Sequence, residues 1–195
     1  MYQKRNEDLD ILRLFLGGYN RQFYLREISR LTGIPLKTTQ TKILHLEEGN
    51  ILKSTISGKN KYFRLNLDNI QTKFCLLQAE INKTQSFIEK YPLFKIFINE
   101  IKTNTPLIVF GSFAKFKAGK DSDLDLLIIS KEKQKLPFHL LAYKIHKIEL
   151  SESDFLQSME KQENLIKEIE ENHIILNDHS SYVNAMWNYY GKRQT

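Results

Sequence analysis

Two aspartates one residue apart, Asp123 and Asp125, follow a short apolar run that ends in Gly111-Ser112. The whole stretch reads PLIVFGSFAKFKAGKDSDLDLLIIS. Side chains at i and i+2 of a strand point to one face, so the two carboxylates make a single pair of hard oxygen donors. Such a pair suits Mg²⁺, which takes one or two carboxylates and fills its shell with phosphate oxygens and water. Gly111 carries no Cβ and lets the backbone come close to a ligand. Ser112 opens the next helix, where free N–H groups and the helix dipole favour phosphate. Lys115, Lys117 and Lys120, in the loop between the two motifs, add positive charge. These residues together fit the handling of phosphate with a divalent cation.

The elements around them must present the pair at a strand mouth. Residues 106–110 read as a buried strand ended by glycine. Residues 126–129 are apolar on both faces, as a strand covered on both sides should be. Further on, the pattern predicts a short helix over 133–144 around Pro137 and a strand over 144–150. A helix over 160–172 then turns Leu165, Ile166 and Ile169 inward, followed by a short strand at 174–176 and a closing helix at 182–190. Tyr182, Trp187, Tyr189 and Tyr190 on that last helix read as packing residues.

Gly111, Ser112, Ala114, Ser122, Asp123, Asp125 and Leu126 resemble the signature of the DNA polymerase β-like nucleotidyltransferases, most closely the small branch called minimal nucleotidyltransferases. Phe116 departs from the pattern, standing where that family often has glycine. The resemblance implies a Mg²⁺-dependent enzyme that transfers a nucleoside monophosphate from ATP or another nucleoside triphosphate to a hydroxyl acceptor. Asp123 and Asp125 would hold the metal, and Gly111 and Ser112 would grip the phosphates with Lys115 or Lys120. The acceptors it implies are proteins, antibiotics or RNA ends, and some relatives are antitoxins that adenylylate a partner toxin. Active relatives carry a third acid on the next strand. The form Ile148-Glu149-Leu150 offers Glu149, whereas counting back from Leu150-Ser151-Glu152 offers His146. The two have opposite parity, so only one of them faces the pair.

The N-terminal third carries most of the charge. Residues 1–70 hold 12 Lys and Arg against 7 Asp and Glu, and the remainder 17 against 16, out of a net +6. A basic segment of this kind is the footprint of a polyanionic partner. Apolar spacing predicts helices over 8–16, 24–31 and 35–48, then two β-like runs over 51–56 and 61–67 around the turn Ser57-Gly58-Lys59-Asn60. The phrase LREISRLTGIPLKTTQTKILHLEEGNILK resembles the winged helix-turn-helix domain of transcriptional regulators. That resemblance implies double-stranded DNA as partner, with Lys37, Thr38, Thr39, Gln40 and Lys42 facing the duplex. Lys53, Lys59, Lys61 and Arg64 would present a wing to phosphates. A regulator whose second domain binds nucleotide without transferring it, or supports a dimer, is the alternative reading.

The expected fold class is therefore α+β, with a winged helix over 1–68, a helical connector over 69–102 and a mixed α/β nucleotidyltransferase-type domain over 103–195. In the connector, Ile70, Phe74, Leu77, Ile81 and Ile88 recur at helical spacing, which fits either a helix lying on its own domain or a homodimer face. No run approaches the ~18 apolar residues of a membrane span. The charged start MYQKRNEDLD lacks the apolar core of a secretory signal. Cys75 is the single cysteine, expected as a small core residue, and it leaves no internal disulfide to form. The expectation is a cytoplasmic protein without a membrane partner.

Overall fold

Asn6 starts the first helix, α1 (Glu7–Arg13), its side chain accepting a hydrogen bond from the Leu9 backbone N–H at 3.3 Å. Glu7, Asp8 and Asp10 in the first turn complement the helix dipole. The helix is shorter than the span expected from spacing, because the chain continues as turns from Leu14, yet Phe15 and Leu16 are still fully buried. Next come β1 (Gln22–Tyr24), α2 (Leu25–Thr32), α3 (Leu36–Glu48), β2 (Leu52–Ser57) and β3 (Asn60–Leu65). Gly33 ends α2 in the left-handed region at φ 69°, which glycine adopts without a Cβ clash. Strand β1 has no counterpart among the elements expected from spacing. It pairs antiparallel with β3 to give a three-stranded sheet in the order β1-β3-β2.

The computed structural model describes residues 6–193. It divides into two units, one holding the chain up to Ala79 and again from Met186, the other spanning Glu80–Ala185. The boundary therefore falls inside helix α4 (Ile70–Lys90). The buried line of α4 is Thr72, Leu76, Ala79, Glu80, Thr84 and Phe87. Ile70, Phe74 and Ile81, the apolar residues read from spacing, lie on another line and are 51%, 50% and 42% exposed. Cys75 is half-buried, and burial pushes its thiol pKa up.

In the second unit α5 (Leu93–Asn99) leads to β4 (Leu107–Phe110), the single turn α6 (Gly111–Ala114) and β5 (Leu124–Ile129). Then follow β6 (Ile145–Leu150), α7 (Glu152–Glu160), α8 (Asn164–Glu171), β7 (Ile174–Asn177) and the start of α9 (His179–Gly191), which runs on past the end of the unit at Ala185. The sheet order is β6-β5-β4-β7, with β5 and β6 parallel and β4 antiparallel to both neighbours. One face of the sheet carries Leu107, Val109, Leu124, Leu126, Ile128, Ile174 and Leu176, packed with Phe87, Phe94, Phe97 and Phe113 into one core. The other face carries Ile108, Leu127, Ile129 and Ile175, which are also buried. Two helix expectations are corrected. Residues 133–144 hold only a 3₁₀ turn at Phe138–Leu140, which opens directly after Pro137. The helix expected over 160–172 is two helices, α7 and α8, broken at Gln162, whose φ of 52° is incompatible with helix continuation.

Candidate active site

Strand β4 delivers Gly111 to the level of Asp125, since Phe110 is the register partner of Asp125 across the β4–β5 ladder. Gly111 sits at φ 66°, and a Cβ built there would lie 2.2 Å from Asp125 Oδ2. The Asp125 carboxylate thus occupies the space a side chain at 111 would need. Asp125 is anchored by β5 and is partly buried, while Asp123 lies just before the strand and is exposed.

The parallel pairing of β5 with β6 sets what faces the two acids. Asp125 is in register with His146, and the Leu124 N–H donates to the Lys144 carbonyl at 2.8 Å. Two cross-strand rungs result: Lys144 Nζ lies 3.1 Å from Asp123 Oδ2, and His146 Nδ1 lies 3.3 Å from Asp125 Oδ1. Glu149 is in register with Ile128 and so on the opposite sheet face, where it pairs with Lys147 at 2.6 Å. The sequence preference for Glu149 is corrected: strand parity carries His146, not Glu149, to the acid pair. Lys144 was missed as a site residue. Its signal was available, because it shares the parity of His146 and must face the same way once His146 does.

The other expected ligands are dispersed. Ser112 is half-buried in the single turn after Gly111, and Lys115 reaches away to Glu168 on α8 at 3.2 Å. Lys117 and Lys120 are exposed on the loop between the two motifs. Phe116, the departure from the family pattern, takes φ 56°, the left-handed backbone that glycine adopts freely and other residues adopt at a cost. Its ring packs edge-on to Phe87 with centroids 6.2 Å apart. The loop therefore keeps the glycine-like backbone without the glycine.

Chemically, the pair supplies two hard carboxylate oxygens beside the Gly111-Ser112 turn, which fits Mg²⁺ held jointly by protein and phosphate. Among the described residues no group of three or more Asp, Glu, His or Cys is disposed to hold a metal ion by itself. A cation here would draw its remaining ligands from the substrate.

In the first unit the expected DNA-facing residues separate into two sets. Lys37 and Gln40 are exposed on α3, and Thr38 is half-buried. Thr39 points inward, fully buried, its hydroxyl donating to the Ile34 and Pro35 carbonyls at 3.1 Å each. Lys42 turns back to Asp8 on α1, with Nζ 3.4 Å from the carboxylate. Both are corrected: they lie on the flank of α3 that packs on its own unit. On the hairpin Lys53 pairs with Asp68 and Lys61 with Glu47 at 3.0 Å, while Lys59 is exposed at the turn. A groove of about 520 Å³ runs between α3 and the hairpin, lined by Tyr24, Arg26, Gln40, Leu44, Lys59 and Lys61 among others.

The second unit thus sets a Gly-Ser turn against a same-face aspartate pair on a mixed four-stranded sheet. Residues 95–181 match the model of the family described as polymerase beta, nucleotidyltransferase, and this supports a DNA polymerase β-like nucleotidyltransferase domain in that part of the chain. The match runs from α5 into the start of α9. No curated protein and no solved structure matches the chain. Among the described residues no helix is long and apolar enough to cross a membrane.

Proposed function

We propose that the second unit binds a nucleoside triphosphate with Mg²⁺ on Asp123 and Asp125 and transfers its nucleoside monophosphate to a hydroxyl acceptor, with pyrophosphate released. The observation that carries this reading is the placement of Gly111 against Asp125, inside a segment that matches the family. Bound there with the triphosphate, the cation would neutralise charge on the transferring phosphoryl group. Asp123 and Asp125 would hold and orient it, with the Gly111-Ser112 turn packed beside Asp125 on the side where the phosphates would lie. Lys144 and His146 lie against the two carboxylates and must give way, or turn to phosphate, when the cation enters.

His146 also favours a second reading. With an imidazole where active relatives carry an acid, and no other carboxylate opposite Asp125 on β6, the site fits nucleotide binding without transfer. Calorimetric titration of each nucleoside triphosphate, with Mg²⁺ and with EDTA, separates the readings when paired with transfer of label from α-³²P nucleotides in cell extract. We expect Mg²⁺-dependent binding that Asp123→Asn with Asp125→Asn abolishes, and transfer that Glu149→Gln leaves unchanged. Binding without transfer selects the second reading. Unchanged binding in the double variant overturns both.

For the first unit we infer duplex DNA binding through a winged helix. Support comes from its element order, a three-helix group whose last helix is followed by a two-stranded hairpin, and from its basic charge. The outward residues Lys37, Thr38, Gln40 and Lys59 form the contact set, with Lys61 held by Glu47 at its edge.

A further inference from the structure

Lys144 immediately precedes β6, and its carbonyl accepts from the Leu124 N–H at 2.8 Å. That bond sets Lys144 beside Asp123, in the rung before Leu124 and Ile145. There Nζ lies 3.1 Å from Asp123 Oδ2, with the lysine side chain 82% and the aspartate side chain 47% exposed. His146 repeats the arrangement on the next residue of the same face, its Nδ1 3.3 Å from Asp125 Oδ1. Asp125 Oδ2 is turned toward Gly111. Both carboxylates thus have close neighbours before any ligand enters.

No other lysine shares this position. Lys115 pairs with Glu168 at 3.2 Å, and Lys147 lies on the opposite sheet face, paired with Glu149 at 2.6 Å. Among the described residues Lys144 is the lysine that forms an ion pair with a site aspartate. An exposed pair of this kind is weak, so Lys144 parts from Asp123 at little cost. Its ammonium sits on a long flexible stem and binds phosphate as a point charge. A divalent cation on Asp123 removes that partner and repels the ammonium. A triphosphate bound to the same cation supplies a new anionic partner, whereas a bare cation supplies none.

We propose that Lys144 is a triphosphate-binding residue that couples metal to nucleotide: it opposes a divalent cation arriving alone and favours one that arrives with a triphosphate. The role rests on the assignment of Asp123 and Asp125 as metal ligands, and it makes joint loading a property of this chain. The factor by which triphosphate tightens the cation equals the factor by which the cation tightens the triphosphate, and Lys144 enters both. A neutral side chain at 144 must therefore move the two affinities in opposite directions. A lysine that only steadied the start of β6 would move both the same way, or neither.

Titration of the full chain and of Lys144→Met tests this at constant ionic strength. Mn²⁺ alone is followed by the electron paramagnetic resonance of the free ion. ATP, GTP, CTP and UTP, each in excess Mg²⁺, are followed by calorimetry. Lys144→Met should bind Mn²⁺ alone about threefold tighter than wild type, the size of an exposed ion pair. It should bind the Mg²⁺-bound triphosphate about tenfold more weakly, the size of a hydrogen bond to a charged group. Lys144→Gln should repeat the pattern, which separates the loss of charge from any effect of methionine on packing. Lys144→Arg should recover most of the triphosphate affinity, and Lys147→Met, on the opposite face, should change neither. Where the wild type binds a Mg²⁺-bound triphosphate, neutral variants whose two affinities stay unchanged or shift in the same direction overturn the role of Lys144 and leave the metal ligands standing. A wild-type chain that binds none of these triphosphates overturns both.

Discussion

Gly111 is the position where a single methyl group has the largest effect. A Cβ there would overlap Asp125 Oδ2 at 2.2 Å, and the backbone at φ 66° is one that L side chains rarely adopt. Gly111→Ala must therefore either swing the Asp125 carboxylate off His146 or shift the β4–α6 junction. The expected outcome is a loss of about 1–3 kcal/mol in stability, the range for a strained residue at φ > 0, together with loss of Mg²⁺-dependent nucleotide binding. Thermal melting and calorimetry on the same preparation check it. Retained nucleotide affinity would show that Asp125 takes no part in binding. The same argument explains why Phe116 is tolerated where related sequences have glycine: its backbone is left-handed, but its ring gains the packing against Phe87.

At the scale of elements, α3 and the β2–β3 hairpin decide what the first unit can touch. Only one flank of α3 is free, and it carries Lys37, Gln40 and Leu44, with Lys59 across the groove at the hairpin turn. Lys37→Ala with Lys59→Ala should weaken binding to all duplexes by a similar factor and reduce the salt slope by about one for every phosphate no longer neutralised. Gln40→Ala should instead alter preference between sequences, since an amide reads base edges and a lysine reads phosphate. Lys42→Ala, on the flank that faces Asp8, should leave DNA affinity near the wild-type value. Gel shifts at two salt concentrations over a fragment library separate these outcomes. A drop in affinity for Lys42→Ala equal to that for the Lys37 and Lys59 pair would put the DNA face on the wrong side of the helix.

At the scale of the molecule, the second unit hides an ionisable cluster away from the acid pair. Glu80 on α4 and His173 before β7 are both fully buried, with Glu80 Oε1 2.7 Å from His173 Nε2. His173 Nδ1 lies 2.8 Å from the Ile169 carbonyl, so both ring nitrogens face oxygen atoms. Burial pushes the Glu80 carboxyl up, but the charges of His173 and Lys83 and the His173 hydrogen bond together hold its pKa below the ordinary value. His179, hydrogen-bonded to Thr84 at 3.0 Å, is pushed down by burial against a smaller opposing pull from Glu80. Both shifts have one sign for stability. Each group takes up its proton more readily in the unfolded chain, so stability falls on acidification. The decline begins below about pH 6.5, where unfolded histidine protonates, and steepens below about pH 4.3, where unfolded glutamate does. Melting temperature measured from pH 8 to pH 4 should fall throughout the lower half of that range. Glu80→Gln removes one partner of a buried pair and should cost about 3–5 kcal/mol at neutral pH. A melting temperature flat between pH 7 and pH 4, or a Glu80→Gln variant as stable as wild type, would remove the cluster from the stability of the fold.

The sequence alone determined the strand–turn–strand that carries Gly111, Asp123 and Asp125, because glycine conformation and strand parity act between near neighbours. It also determined the three-helix and hairpin order of the first seventy residues, since apolar period and turn residues are local signals. It could not choose between Glu149 and His146. That choice depends on the register of β6 against β5, a pairing between residues about twenty positions apart that no local pattern encodes. Nor could it show that Thr39 and Lys42 turn inward, that β1 joins the hairpin, or that α4 buries one line and exposes another. Each is settled by what the element packs against, and an amphipathic helix with two apolar lines has no local reason to prefer one. Tertiary structure made that decision, by placing Glu80 opposite His173 and leaving Phe74 and Ile81 in solvent.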